Sequence, residues 1–93
     1  MDNKKYIYVL GNEDSFKIGV STNPNIRIKQ LQTGCSSPLT VLWTMERADA
    51  YKLEKHLHRK FQKHKRVGEW FDKSKITLDQ IKSESYMYTE YDW

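Results

Sequence analysis

The stretch Lys5–Val20, K-Y-I-Y-V-L-G-N-E-D-S-F-K-I-G-V, decides the fold. Lys5–Leu10 is rich in aromatic and β-branched residues, which suit a pleated, half-buried surface. Phe16–Val20 repeats that composition after a break, Gly11–Ser15, built from Gly, Asn, Asp and Ser. Those residues supply turn chemistry, so the two runs are predicted to pair as an antiparallel hairpin.

Working outward from the hairpin, Ser21–Pro24 reads as a helix start. Asn23 or Thr22 can cap it, and Pro24 suits the first helical position, where its missing N–H costs nothing. Ile28 and Leu31 form the expected buried stripe, and Gly34 ends the helix. Leu39–Met45 alternates well enough for a third strand. Arg47–Lys65 carries Ala50, Leu53, Leu57 and Phe61 at spacings of three and four, a long amphipathic helix. Its opposite side presents Lys52, Lys55, Arg59 and Lys63. Val67-Gly68 breaks it, Glu69-Trp70-Phe71 follows as a short aromatic plug, and Thr77–Gln80 has the form of a capping box. Leu78 and Ile81 anchor a last short helix. The expected fold class is α+β, a small three-stranded antiparallel sheet flanked by helices.

At 93 residues and 11.2 kDa the chain allows one small domain. No apolar run approaches the ~20 residues of a membrane span, and no secretory signal pattern opens the sequence. Cys35 is the only cysteine, which excludes an internal disulfide and a four-cysteine zinc module. An intracellular, cytoplasmic location is expected, at the nucleoid or in a host cell if the source is viral. The net charge of +4 is unevenly spread. Residues 47–70 carry eight basic and three acidic side chains, whereas residues 83–93 carry no basic and three acidic ones. A basic body, residues 1–82, thus ends in an acidic, aromatic tail. Such a body favours a polyanionic partner.

Three sets of residues carry chemistry. Tyr8 and Lys17 lie on paired strands, so the hairpin can bring their side chains together. Arg27 stands one turn into the first helix. Glu54 and His58 are four apart on the long helix, on one face, bordering the apolar stripe rather than the basic side. A carboxylate at the edge of a core invites a metal ion or a cation. A zinc reading of His56, His58, His64 and Cys35 fails, since His56 and His58 point about 200° apart on a helix.

The order of these residues resembles the GIY-YIG endonuclease superfamily, and in particular its short phage, viral and bacterial branch. Six strings carry the resemblance: Tyr8-Val9, Lys17-Ile18-Gly19, Pro24 to Arg27, Leu31 to Gly34, Glu54 to His58 and Gly68 to Phe71. The resemblance covers roughly residues 5–82. The resemblance implies a metal-dependent endonuclease that hydrolyses phosphodiester bonds in DNA, with one Mg²⁺ or Mn²⁺ ion held by Glu54. It implies Arg27 as a transition-state stabiliser and Tyr8 as the residue that activates or orients water. Lys17 replaces the first tyrosine of the superfamily's second signature, where a cation could contact phosphate or lower the pKa of Tyr8. His58, with an ordinary pKa of about 6.5, is the alternative base. The asparagine that often closes the superfamily's site has no clear match beyond residue 71; Glu69 reads as an exposed loop residue, with that nearby space as the alternative. The competing reading is a nucleic-acid-binding module on the same scaffold with little or no cleavage. DNA is the expected partner, a protein partner or self-association would add specificity, and an acidic membrane is the weaker option.

Overall fold

The computed structural model describes residues 4–88. The hairpin forms as the sequence indicates: β1 (Tyr6–Gly11) pairs antiparallel with β2 (Ser15–Ser21), with Tyr8 opposite Gly19 and Leu10 opposite Lys17. The Asn12 carboxamide accepts from the backbone N–H groups of Asp14 and Ser15 and closes the turn. α1 (Pro24–Thr33) is capped by the Asn23 side chain, which accepts from the Ile26 N–H. β3 (Thr40–Glu46) pairs with the other edge of β1.

Three departures from the sequence reading follow from tertiary contacts. Where Glu69-Trp70-Phe71 was expected as an aromatic plug, Trp70–Asp72 forms a fourth strand, β4, on the outer edge of β2. The sheet is therefore four-stranded and antiparallel in the order β3-β1-β2-β4, with three helices, still an α+β fold. Periodicity alone missed β4 because three residues are too few to show a period. The long helix is shorter than expected, α2 (Ala50–Lys60) followed by a 3₁₀ turn at Gln62–His64. Arg47 stays outside it because its guanidinium is committed elsewhere. It donates to both Asp49 carboxylate oxygens, at 2.7 and 2.9 Å, and to the carbonyls of Ser85 and Tyr88. Lastly, α1 has no fully buried residue, so Ile28 and Leu31 only half-cover the sheet.

α3 (Leu78–Met87) opens with the expected capping box, Thr77 and Gln80 each bonding the other's backbone N–H. It runs through residues 83–87, which the sequence analysis set apart as the start of the tail. Arg47 secures its end by binding the Ser85 and Tyr88 carbonyls. Residues 89–93 of that tail lie outside the described residues.

Strand alternation gives the sheet two unlike faces. Ile7, Val9, Phe16 and Ile18 face α2 and α3 and pack with Leu53, Leu57, Phe61, Phe71, Ile76 and Ile81 into one core. Each fully buried aliphatic side chain there contributes about 1.5–3 kcal/mol relative to exposure. The other face carries Tyr8, Lys17 and Gly19, with α1 across it. No helix among the described residues is long and apolar enough to cross a membrane.

Candidate functional site

β4 begins only at Trp70, opposite Lys17, and this length mismatch creates the site. Beyond Lys17 the outer edge of β2 has no strand partner among the described residues. Ile18 satisfies its backbone there by other means. Its N–H reaches the Glu69 carbonyl at 3.4 Å, and its carbonyl meets His58 Nε2 at 3.0 Å. A carbonyl only accepts, so Nε2 carries the proton and Nδ1 keeps its lone pair. Burial pushes the His58 pKa down, against the opposing effect of the Ile18 bond, so the ring is neutral at pH 7.

Glu54 and His58 stand one turn apart on α2, and Glu69 approaches from the turn before β4. One potential ligand atom from each lies within 4.8 Å of those from the other two. Burial, and next the charge of Glu69, raise the Glu54 pKa, while Lys17 opposes them. Lys17 is almost fully buried and donates to Glu69 Oε1 at 2.7 Å. Its ammonium also lies 5.7 Å from the centre of the Trp70 ring. Two carboxylates and a neutral imidazole with a free lone pair are a donor set that suits a divalent cation. The unfavourable proximity of Glu54 and Glu69 is what such an ion would relieve.

On the other face of the sheet, the Tyr8 ring runs across Gly19. A Cβ on Gly19 would lie 2.4 Å from the Tyr8 hydroxyl and 2.6 Å from its Cζ. Glycine is thus required there by the neighbouring ring, not by the backbone angle. The Tyr8 phenol, only 2% exposed, reaches Arg27 of α1, which donates to its oxygen. Arg27 is otherwise exposed and donates to Gln30 Oε1 at 3.3 Å. Burial raises the Tyr8 pKa, the Arg27 hydrogen bond and charge oppose this, and Glu69 and Glu54 add to the rise. Lys17, for its part, bonds Glu69.

The structure thus brings Tyr8, Lys17, Arg27, Glu54 and His58 to one edge of the sheet. Lys52, Lys55 and Arg59 are exposed on α2, and Lys63 is exposed on the 3₁₀ turn. By helical angle Lys55 lies beside the flank that holds Glu54 and His58, and Arg59 and Lys52 follow it round the helix. Sequence reasoning favoured a loop role for one participant and did not name another. Glu69, read as a loop residue, joins the cluster, and the Gly68-Glu69-Trp70-Phe71 string was its signal. Lys65, whose ammonium sits 5.6 Å from the Phe71 ring centre, adds positive charge next to His58.

Comparison with known proteins corrects one expectation. The family model that matches is the T5orf172 domain, over residues 5–85, and no match to GIY-YIG was found. Assignment to the GIY-YIG superfamily is therefore overturned. The strings behind it are short, and several meet local structural demands: Gly19 admits the Tyr8 ring, Pro24 opens α1, and Gly68 takes a positive φ of 56°. No curated protein and no solved structure matches the chain. The family match is compatible with a nucleic-acid-related function. Covering most of the chain, it establishes that this protein belongs to the T5orf172 domain family.

Proposed function

We propose that the chain is a divalent-metal-dependent endonuclease that hydrolyses phosphodiester bonds in DNA. One observation carries the reading: Glu54, His58 and Glu69 converge at the unpaired edge of β2, beside Tyr8 and Arg27. Acid, imidazole, phenol and guanidinium in one gap make a poor structural core. They form a good environment for a phosphate, a water and a cation.

Glu54 is the residue that would hold Mg²⁺ or Mn²⁺. The ion would polarise the phosphoryl group and stabilise the oxygen that leaves. Arg27 supplies a planar, permanently charged fork for the non-bridging oxygens as charge builds at phosphorus. Tyr8 acts as a neutral phenol. Its oxygen accepts from Arg27, which leaves its O–H free to orient the attacking water or the phosphate. Its raised pKa makes it a poor base at pH 7, so orienting is its role. Lys17 holds Glu69 in place and keeps positive charge between the two carboxylates. His58 brings a neutral ring with a free lone pair, chemistry that serves a proton or a metal. Lys52, Lys55, Arg59 and Lys63 provide phosphate contacts along the duplex, the part of affinity that depends on salt.

The test is cleavage of supercoiled, linear and branched DNA with Mg²⁺, Mn²⁺ or a chelator. Wild type should cut only with metal, and Glu54→Ala and Arg27→Ala should not. Binding without cleavage under every metal condition would establish the alternative, a binding module.

A further inference from the structure

We infer that the metal centre is a three-ligand site in which His58 Nδ1 and a Glu69 carboxylate oxygen join Glu54, and that it prefers Mn²⁺ to Mg²⁺. The inference rests on the reading of Glu54 as a metal ligand and goes beyond it in naming the other donors and the ion. Three features carry it. One potential ligand atom from each of the three residues, a ring nitrogen in the case of His58, lies within 4.8 Å of those of the other two. Bonds of about 2.2 Å to one ion place opposed donors about 4.4 Å apart, so small side-chain adjustments close the site. The second feature is the arrangement of His58. Its Nε2–H is committed to the Ile18 carbonyl at 3.0 Å, leaving Nδ1 as the nitrogen with a lone pair. A ring N–H donating to a backbone carbonyl is how metal-binding histidines are commonly oriented. The Phe71 ring, 5.0 Å away and edge-on, further restricts the imidazole.

The third feature is Lys17. Its ammonium binds Glu69 Oε1 at 2.7 Å, so a side chain that is 46% exposed is nonetheless held at the site. A ligating carboxylate that is itself hydrogen-bonded is the corresponding arrangement for an oxygen donor. The selectivity follows from the donor set. Mg²⁺ favours oxygen ligands and retains several waters, whereas Mn²⁺ accepts an imidazole nitrogen beside carboxylates. A ligand role also removes His58 from proton transfer.

The test uses Mn²⁺ as the probe on the full chain. Titration followed by loss of the free-ion EPR signal gives the affinity, and competition with Mg²⁺ gives the preference. Pulsed EPR reads whether a ¹⁴N nucleus is coupled to the bound ion. Wild type should bind one Mn²⁺ with ¹⁴N coupling and should release it only to a large excess of Mg²⁺. His58→Gln keeps a donor for the Ile18 carbonyl but lacks Nδ1. It should lose the ¹⁴N coupling and bind about 10–100-fold more weakly. Glu69→Gln should weaken binding over the same range while keeping the coupling. Circular dichroism confirms folding, and the wild-type spectrum needs no variant. Mn²⁺ bound without ¹⁴N coupling, with Glu54→Gln alone weakening it, would overturn the three-ligand site and leave the nuclease reading standing. No Mn²⁺ binding to the wild type, with or without duplex DNA, would overturn both.

Discussion

The Tyr8 ring lies so close over Gly19 that a Cβ on Gly19 would fall 2.4 Å from the tyrosine hydroxyl. Strand pairing sets the two residues opposite each other, and the absent side chain gives the ring its path toward Arg27. Position 19 therefore controls where position 8 puts its oxygen. Gly19→Ala should displace the ring, at a cost of about 1–3 kcal/mol in stability and about 10²-fold or more in cleavage. In a Tyr8→Ala background the same change should cost little further stability, since nothing remains to collide with. Thermal unfolding of the four proteins in the cycle checks this. Equal costs in both backgrounds would show that the ring and the glycine are not coupled.

Glu54 is half-buried and faces the charge of Glu69, so in the absence of metal it is under strain. Glu54→Gln removes one of the two like charges while keeping the shape. Without metal the variant should melt higher than wild type, by on the order of 0.5–1 kcal/mol or about 2–8 °C. Saturating Mn²⁺ should reverse the order, raising the wild type by about 2–3 kcal/mol and the variant far less. A variant that melts below wild type without metal would mean that Glu54 is a structural residue.

Lys17 is the cation that lets the two carboxylates coexist. Lys17→Met keeps the aliphatic stem and removes the charge, and should destabilise the metal-free chain by about 1–2 kcal/mol, a figure discounted because Glu69 is partly exposed. Added Mn²⁺ should recover part of that loss. Denaturant titration with and without metal measures both effects, and an unchanged midpoint would show that the Lys17–Glu69 pair contributes nothing.

For Tyr8 the sign of the pH dependence is fixed by the direction of its shift. Burial raises the phenol above its ordinary 10.0, so the folded chain holds this proton more tightly than the unfolded chain does. The corresponding stability is fully present below about pH 10 and is lost as pH rises through the raised folded value. Tyr8→Phe lacks this ionisation, and its Tm should fall less steeply than that of wild type between about pH 10 and about pH 12. Parallel curves would place Tyr8 at an ordinary pKa.

The basic arc of α2 should affect binding more than chemistry. Lys55→Ala and Arg59→Ala should each weaken DNA binding and reduce the slope of log affinity against log salt by about 0.9. Cleavage of DNA bound at saturation should stay within about threefold of wild type. Fluorescence anisotropy at several salt concentrations reads the slope. Unchanged slopes would assign the phosphate contacts to another surface.

Much of this arrangement was legible in the sequence because short-range rules governed it. The Gly11–Ser15 turn, Pro24 after Asn23, and the Thr77–Gln80 box are local chemistry, and each forms in the structure. The α2 stripe of Ala50, Leu53 and Leu57 is buried as its period requires. What escaped depends on contacts distant in sequence. β4 exists only because β2 offers its edge, and Glu69 joins the site only because β4 does not begin until Trp70. Arg47 leaves the helix pattern for carbonyls of α3, about forty positions later. The Tyr8–Gly19 relationship could be inferred only after the register was known, since one residue of slip would turn Tyr8 into the core. Charge counts found the basic body but could not separate Lys65, beside His58, from the lysines on the opposite side.

The most direct test of the account is to measure binding and cutting together on one labelled duplex, for wild type and Glu54→Gln, in Mn²⁺. The account predicts similar DNA affinity for the two proteins, with cleavage by the variant reduced by about 10³-fold or more. Equal cleavage by both proteins, or binding by both with none, would contradict the metal-dependent endonuclease.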